Sequence, residues 1–485
     1  MALNRWTRRG MLGGLASTLA LPALGKTKKA KAAAPVVDPT AGKAEDWVTR
    51  ANLTGVSGFC VAEVATGRVL ESFNAGAQVP PASVAKTITS LYALERLGAG
   101  AVFNTQVLAT GPVNGGRLDG DLILSGGGDP TLDTDKLGDM VAALARTGLR
   151  QVSGRFLVYA GALPAFDRIT DEQPIQVGYD PGLSGLSLNF NRVNFEWTKG
   201  GATMQMNARG ERYVPVVKGI TMGAADREGP LFTYSGGDAE RWTVARGALA
   251  RAGSRWLPVR QVAGYVAEVF ATLSAAQGIV LPRAQMIAAL PSGAQPLLTW
   301  PSAHLDGILR EMLKWSTNIT AETMGLASSG QPNLRASAAA MQTWAHETLG
   351  LSAQFVDHSG LGAASRVTPE GMMRAIMAGE KRASGAGLRA ILKEVGVQGA
   401  DGKLVKGGAT RVHAKSGTLN FVSGLVGFIE PASGRDLAFA IFSADPARRA
   451  AVPVAEREDP PGEHGWVGRA RGMQRGLLSR WAAIV

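Results

Sequence analysis

The stretch Pro80-Pro81-Ala82-Ser83-Val84-Ala85-Lys86-Thr87-Ile88-Thr89-Ser90-Leu91 decides how this chain is read. Its two prolines end any strand before them and suit the first turn of a helix, where a missing N–H costs nothing. Val84, Ile88, Leu91, Leu94 and Leu97 then fall on most sides of a helix predicted over Ser83–Leu97 and closed by Gly98, so that helix should be buried. Ser83 and Lys86 are three apart and share a helix face. A first-turn hydroxyl, favoured by the helix dipole as negative charge develops, stands beside a lysine whose proton burial can loosen. These are the parts of an activated nucleophile and its base. A lone Ser-x-x-Lys match is also expected by chance in 485 residues, as a first-turn serine with a solvated lysine, so the surroundings must decide.

Before the helix, a linker over Pro35–Gly42 and a short helix near Glu45–Asn52 lead into strands Gly55–Val64 and Arg68–Phe73, which meet at the hairpin turn Ala65-Thr66-Gly67. From about Ala101 to Leu290 the pattern becomes β-rich. Runs such as Asp121–Ser125, Arg155–Tyr159, Thr203–Asn207 and Trp242–Arg246 alternate with glycine-rich turns, with helices over Thr134–Thr147 and Gln261–Gln277. Helices return at His304–Lys314, Thr320–Ala327, Leu334–Leu349, Pro369–Ala378 and Leu388–Val395. Strands Arg411–Thr418, Val422–Glu430 and Leu437–Ser443 follow, then a last helix near Val467–Ile484. The simplest architecture is one α/β (α+β) domain made of residues 35–100 and 291–485, interrupted by inserted β-rich domains over 101–290.

A chain of this length exceeds the ~250–300 residues at which one core stops growing. The formal charge of +12 is misleading, because residues 1–34 hold seven basic residues and no acid, and the remainder stands at +5. With the remaining basic residues scattered, no nucleic-acid role is expected. Residues 1–34 read as an export signal. Thr7-Arg8-Arg9-Gly10-Met11-Leu12 resembles a twin-arginine consensus ahead of a mildly apolar run to Leu24, with cleavage after Gly25 or after Ala32-Ala33-Ala34; a general secretion signal is the alternative, and both place the mature protein in the periplasm. No later stretch is apolar enough to span a bilayer, which takes about 20 residues. The C-terminal helix carries Met473, Leu477, Leu478, Trp481 and Ile484 with Arg469, Arg471, Arg475 and Arg480, a pattern that serves a packed amphipathic helix or a peripheral membrane contact. The single cysteine, Cys60, lies in an apolar strand and reads as a buried small hydrophobe. Five scattered histidines show no metal-ligand spacing, so neither metal nor cofactor is expected. No Gly-x-Ser-x-Gly elbow is present, and Gly126-Gly127-Gly128-Asp129 lacks the ending of a phosphate loop.

Penicillin-binding proteins and β-lactamases combine Ser-x-x-Lys with a Ser-x-Asn element and a Lys-Thr-Gly element. Three Ser-x-Asn matches occur: Ser72-Phe73-Asn74, Ser187-Leu188-Asn189 and Ser316-Thr317-Asn318. The last lies between two helices, where a hydroxyl and an amide can project into a cleft, and is the one chosen. Lys415-Ser416-Gly417-Thr418 is unique and lies on a predicted strand. There the backbone can offer an N–H to an oxyanion and pair with an extended peptide, Gly417 permits close approach, and the lysine suits a terminal carboxylate.

On these motifs the chain resembles the penicillin-binding protein 4 type of D-alanyl-D-alanine carboxypeptidase/endopeptidase. The resemblance extends over Gly120-Asp121-Leu122 through Gly126-Gly127-Gly128-Asp129-Pro130, Leu186–Asn191, Asp357-His358-Ser359-Gly360-Leu361 and Ser365–Pro369. The 233 residues from Ser83 to Ser316 suit a family with domains inserted there and are too many for a compact β-lactamase. The resemblance implies a penicillin-binding/β-lactamase-like transpeptidase domain with an antiparallel sheet and helices. It implies Ser83 as nucleophile, Lys86 as base and Ser316 as relay to the leaving amine. Asn318 would bind the substrate peptide group, and Lys415, Ser416, Gly417 and Thr418 the carboxylate side. The N–H groups of Ser83 and Thr418 would form an oxyanion hole, in which each donor contributes about 3–4 kcal/mol. Peptidoglycan peptides would be substrates and β-lactam antibiotics covalent inhibitors. Thr317 stands where the family has Asp, and Ser416 where it has Thr. The alternatives are a β-lactamase and a non-catalytic peptidoglycan-binding protein.

Overall fold

The structure, a computed structural model, describes residues 38–382, 387–398 and 404–484. Residues 1–34, read from sequence as an export signal, lie outside them.

A six-stranded antiparallel sheet forms the centre of the chain's two ends. In spatial order its strands are Lys393–Val395, Arg411–Leu419, Val422–Glu430, Leu437–Ala444, Val56–Glu63 and Val69–Phe73. Side chains alternate across a strand, so each apolar run here supplies two cores. Cys60, Ala62, Val426, Phe428, Ala440 and Phe442 face one layer, where they meet Val84, just before the nucleophile helix (Lys86–Leu97), Ile88 and Leu91 on it, and Met324, Met341 and Ile376. Phe59, Val61, Leu425, Ile429, Phe439 and Ile441 face the other, against Met473, Leu477, Leu478 and Trp481 of the C-terminal helix (Glu463–Ala483). Burial on both faces explains why these strands read as continuous hydrophobic runs. It also occupies the apolar side of the C-terminal helix. Arg480 donates to Glu71 at 2.7 Å and the Trp481 indole to the same carboxylate at 2.9 Å, which fixes the helix to the edge strand.

The insertion has its own core. Strands Ala284–Ile287, Phe156–Tyr159, Leu122–Ser125, Asn104–Ala109 and Gln295–Pro301 form a mixed sheet, in that order. Helices Thr134–Arg146 and Val262–Ala276 pack in its core, and Asp133 caps the first by accepting the Lys136 N–H. Pro301 pairs with Asn104, so the chain leaves this layer after residue 301 rather than at 291. Gly126-Gly127-Gly128-Asp129 is a structural turn: a Cβ at Gly126 would meet Leu186, one at Gly127 the carbonyl of Asn104, and Asp129 accepts the Thr131 N–H.

Two sequence expectations need correction. The helix over Leu388–Val395 is one turn, Leu388–Ile391, after which Lys393–Val395 pairs with Val412–Ala414 as the edge strand. A segment that short lacks the length to hold a helix against an available strand edge. The nucleophile helix also begins later than expected. Ala82–Ala85 is a 3₁₀ turn, and α-helical bonding starts at Lys86.

Candidate active site

The 3₁₀ turn has a chemical consequence. With three residues per turn, side chains at i and i+3 eclipse, and Lys86 Nζ lies 3.0 Å from Ser83 Oγ. Two more bonds fix the ammonium end: Nζ donates to Asn318 Oδ1 and to the Ser359 carbonyl, both at 2.8 Å. Both partners are acceptors only. A neutral amine has two hydrogens and one lone pair, so donating to both of them leaves the lone pair for the Ser83 hydroxyl. Lys86 is 0% exposed. That burial pulls its pKa down to about 7, against the opposing pull of Glu322 and Asp357. Lys86 is thereby set up as a base near neutral pH.

The acceptors are themselves braced. Glu322, on the helix Asn318–Ser329, takes the backbone N–H of His358 at 3.0 Å and of Ser359 at 2.8 Å. Asp357 takes those of Gly360 and Gly362. Burial raises both carboxyls, Glu322 to about 8. Gly360, at φ 75°, comes so close to Ala82 that a Cβ would lie 1.9 Å from its carbonyl oxygen. Ala82 itself sits at φ 47°. The loop Asp357–Gly362 is thus locked onto the turn that carries Ser83. The His358 ring is buried, lies 2.7 Å from Ser337 Oγ, and is packed over Gly325, where a Cβ would meet the ring at 2.1 Å. Burial pushes its pKa down to about 3, so it stays neutral.

Ser316 occupies the left-handed region, φ 61° and ψ 38°, between the helices Leu305–Trp315 and Asn318–Ser329. A non-glycine residue held there stores strain, a common feature of functional sites. Its Oγ receives a bond from Lys415 Nζ at 3.0 Å, while the same amine donates to the Ser416 carbonyl at 2.6 Å. Lys415 is 3% exposed; burial and the neighbouring charge of Lys86 hold its pKa well below the usual lysine value. Gly417 packs on the nucleophile turn, and a Cβ there would stand 3.0 Å from the Ser83 nitrogen and 2.8 Å from the Pro81 carbonyl. The Thr317 hydroxyl, standing where a carboxylate is usual, donates to Thr320 Oγ1 at 2.9 Å.

The structure therefore brings Ser83, Lys86, Ser316, Asn318, Lys415 and Gly417 together, with Ser416 and Thr418 on the same strand. Neither other Ser-x-Asn match belongs to this site. Asn74 Nδ2 bonds the Ser57 carbonyl, and Asn189 braces the start of a helix through Thr134 in the insertion. Sequence reasoning gave no role to Glu322, Ser359 or Tyr179, although Asp357-His358-Ser359-Gly360-Leu361 was among the stretches of resemblance. Tyr179, in the insertion, accepts a bond from Asn318 Nδ2 through its carbonyl at 2.9 Å. Among the described residues no cluster of His, Cys, Asp and Glu could hold a metal ion, and Cys60 is buried, with its thiol pushed up to about 11.

Comparison with known proteins agrees with this geometry. The chain is 24% identical over 410 residues to the D-alanyl-D-alanine carboxypeptidase DacB of Haemophilus influenzae, an alignment covering 79% of this chain and 84% of that one. It is 29% identical over 428 residues to the D-alanyl-D-alanine carboxypeptidase of Actinomadura sp. strain R39, covering 80% and 77%. Its fold matches the crystal structure of penicillin binding protein 4 from H. influenzae with a TM-score of 0.72 at 20% identity, over 90% of this chain and 99% of that one. A model of the D-Ala-D-Ala carboxypeptidase 3 (S13) family matches residues 42–458, the span that holds all three motifs, and the chain belongs to that family.

Proposed function

We propose that the protein is a serine D-Ala-D-Ala carboxypeptidase and D,D-endopeptidase that trims peptidoglycan stem peptides in the periplasm. Lys86 takes the proton of Ser83 as Oγ attacks the carbonyl of the penultimate D-alanine. The tetrahedral oxyanion forms between the backbone N–H groups of Ser83 and Thr418. As the C–N bond breaks, the proton held by Lys86 passes through the Lys415–Ser316 pair to the leaving amine, which leaves Lys86 neutral for the next step. An acyl-enzyme remains on Ser83, and water activated by Lys86 releases it as the free acid. β-Lactams enter the same path and stop at the acyl stage. The observation that carries this reading is the Lys86 amine, held by two pure acceptors with Ser83 Oγ at 3.0 Å. Export through the twin-arginine-like segment would deliver the enzyme to its substrate. A membrane contact through the C-terminal helix would rest on its exposed arginines, since Met473, Leu477, Leu478 and Trp481 are buried.

Incubation with purified crosslinked muropeptides tests the proposal. Release of D-alanine and of uncrosslinked peptides is expected, and both should vanish in Ser83→Ala. Intact muropeptides, or undiminished cleavage by Ser83→Ala, would refute it. A β-lactamase would instead turn penicillin over rapidly and leave no lasting adduct.

A further inference from the structure

Lys415, expected from sequence to meet the substrate carboxylate, is badly placed for that task. It is buried and spends its amine on Ser316 Oγ and the Ser416 carbonyl. Burial and the nearby Lys86 also weaken its hold on a proton. It suits a proton relay, which leaves the carboxylate in need of another cation.

The strand Arg411–Leu419 shows where that cation should stand. The edge strand Lys393–Val395 covers only Val412–Ala414, and no other strand among the described residues pairs with Lys415–Leu419 on that side. An extended peptide adding there runs past Ser416, which is exposed, toward Thr418, which is half-buried. At Thr418 a guanidinium arrives from the C-terminal helix: Arg471 donates from a terminal nitrogen to Thr418 Oγ1 at 3.3 Å, and its side chain is exposed. The reach is set by the helix that carries it. Gln474, three residues on and buried, donates to Ser423 Oγ at 3.0 Å, and Ser423 is the register partner of Thr418. Met473 and Leu477 fasten the same helix to the sheet.

We propose that Arg471 is the substrate-binding residue that recognises the carboxylate of the leaving residue, acting together with the hydroxyls of Ser416 and Thr418. A planar guanidinium matches a carboxylate in a two-pronged pair, which a buried lysine cannot offer. The inference rests on the acyl-enzyme reading above. It gives the arginine-bearing face of the C-terminal helix a part in leaving-group selection.

The test uses two thioesters of the same N-acyl-D-alanine, one with mercaptoacetate as leaving group and one with mercaptoacetamide, which lacks the charge. Thiol release gives kcat/KM for each. The wild type should prefer the carboxylate thioester by about 10- to 100-fold, the range of a charge-assisted hydrogen bond. Arg471→Ala should lose most of that preference through the carboxylate substrate alone, and Arg471→Lys should recover part of it. A preference that survives in Arg471→Ala, or is absent from the wild type, overturns the assignment. Equal losses on both thioesters show a structural role and overturn it too. No turnover of either substrate by the wild type would instead refute the acyl-enzyme reading, and the assignment with it.

Discussion

At Lys86 the physics of one buried amine sets the pH behaviour of the whole enzyme. Protonated, the amine has no lone pair and cannot accept the Ser83 proton; neutral, it can. Its pKa is pulled down to about 7 by burial, so acylation by a β-lactam should rise about tenfold per pH unit below pH 7 and level off above it. Rates of acylation followed from pH 5 to 9 check this. A profile flat across pH 7 would remove Lys86 as the base. Lys86→Met should slow acylation by about 10²–10⁴-fold, the usual contribution of a positioned base. Ser83, Lys86 and Lys415 were legible from their motifs, because residue type and spacing carry the chemistry. Glu322 and Ser359 were not. Glu322 acts by holding two backbone N–H groups, and Ser359 by a carbonyl that any residue would present. Neither role leaves a mark in residue identity.

At the level of elements, the site is a contact between a turn, a strand and a loop whose backbones nearly touch. Gly417 and Gly360 are where they touch, each with too little room for a Cβ against the Pro81–Val84 segment. Gly417→Ala should therefore push the 3₁₀ turn off its position and cut acylation by about 100-fold, the scale of a 1 Å misplacement. Its stability cost should stay within the ~1–3 kcal/mol of a local overpacking. Thermal unfolding and penicillin labelling on the same variant would separate the two effects, and an unimpaired labelling rate would contradict the close packing. The strands of the central sheet were readable because apolar runs bounded by turns survive burial on both faces. The edge strand Lys393–Val395 was not, because its length of three residues carries no periodicity. The start of the nucleophile helix was misplaced for a related reason: Ala82, at φ 47°, takes a conformation that its sequence does not advertise.

Over the whole molecule, two cores meet at the site. The insertion reaches it through residues near 170–180. The Tyr179 carbonyl orients Asn318, the Glu172 carboxylate takes the Ala363 N–H at 2.7 Å, and Arg457 donates to the Glu172 carbonyl at 2.9 Å. Glu458 adds bonds to Gln176 and Arg255. Glu172→Ala, which frees the loop Asp357–Gly362 on one side, should lower kcat/KM for peptide substrates by about tenfold. Ser83 should remain the residue labelled by penicillin. Unchanged kinetics would show that the insertion does not steady the site. Sequence reading divided the chain by its change of texture but could not see this bridge, since it runs through backbone carbonyls and side chains of far-separated segments.

The central claim is that three distant segments converge on one activated hydroxyl. The most direct measurement is intact-protein mass spectrometry after incubation with benzylpenicillin, followed by peptide mapping. One lasting adduct is predicted, on the peptide containing Ser83, formed more slowly in Lys86→Met and absent from Ser83→Ala. No adduct, or one on a different residue, would contradict the account.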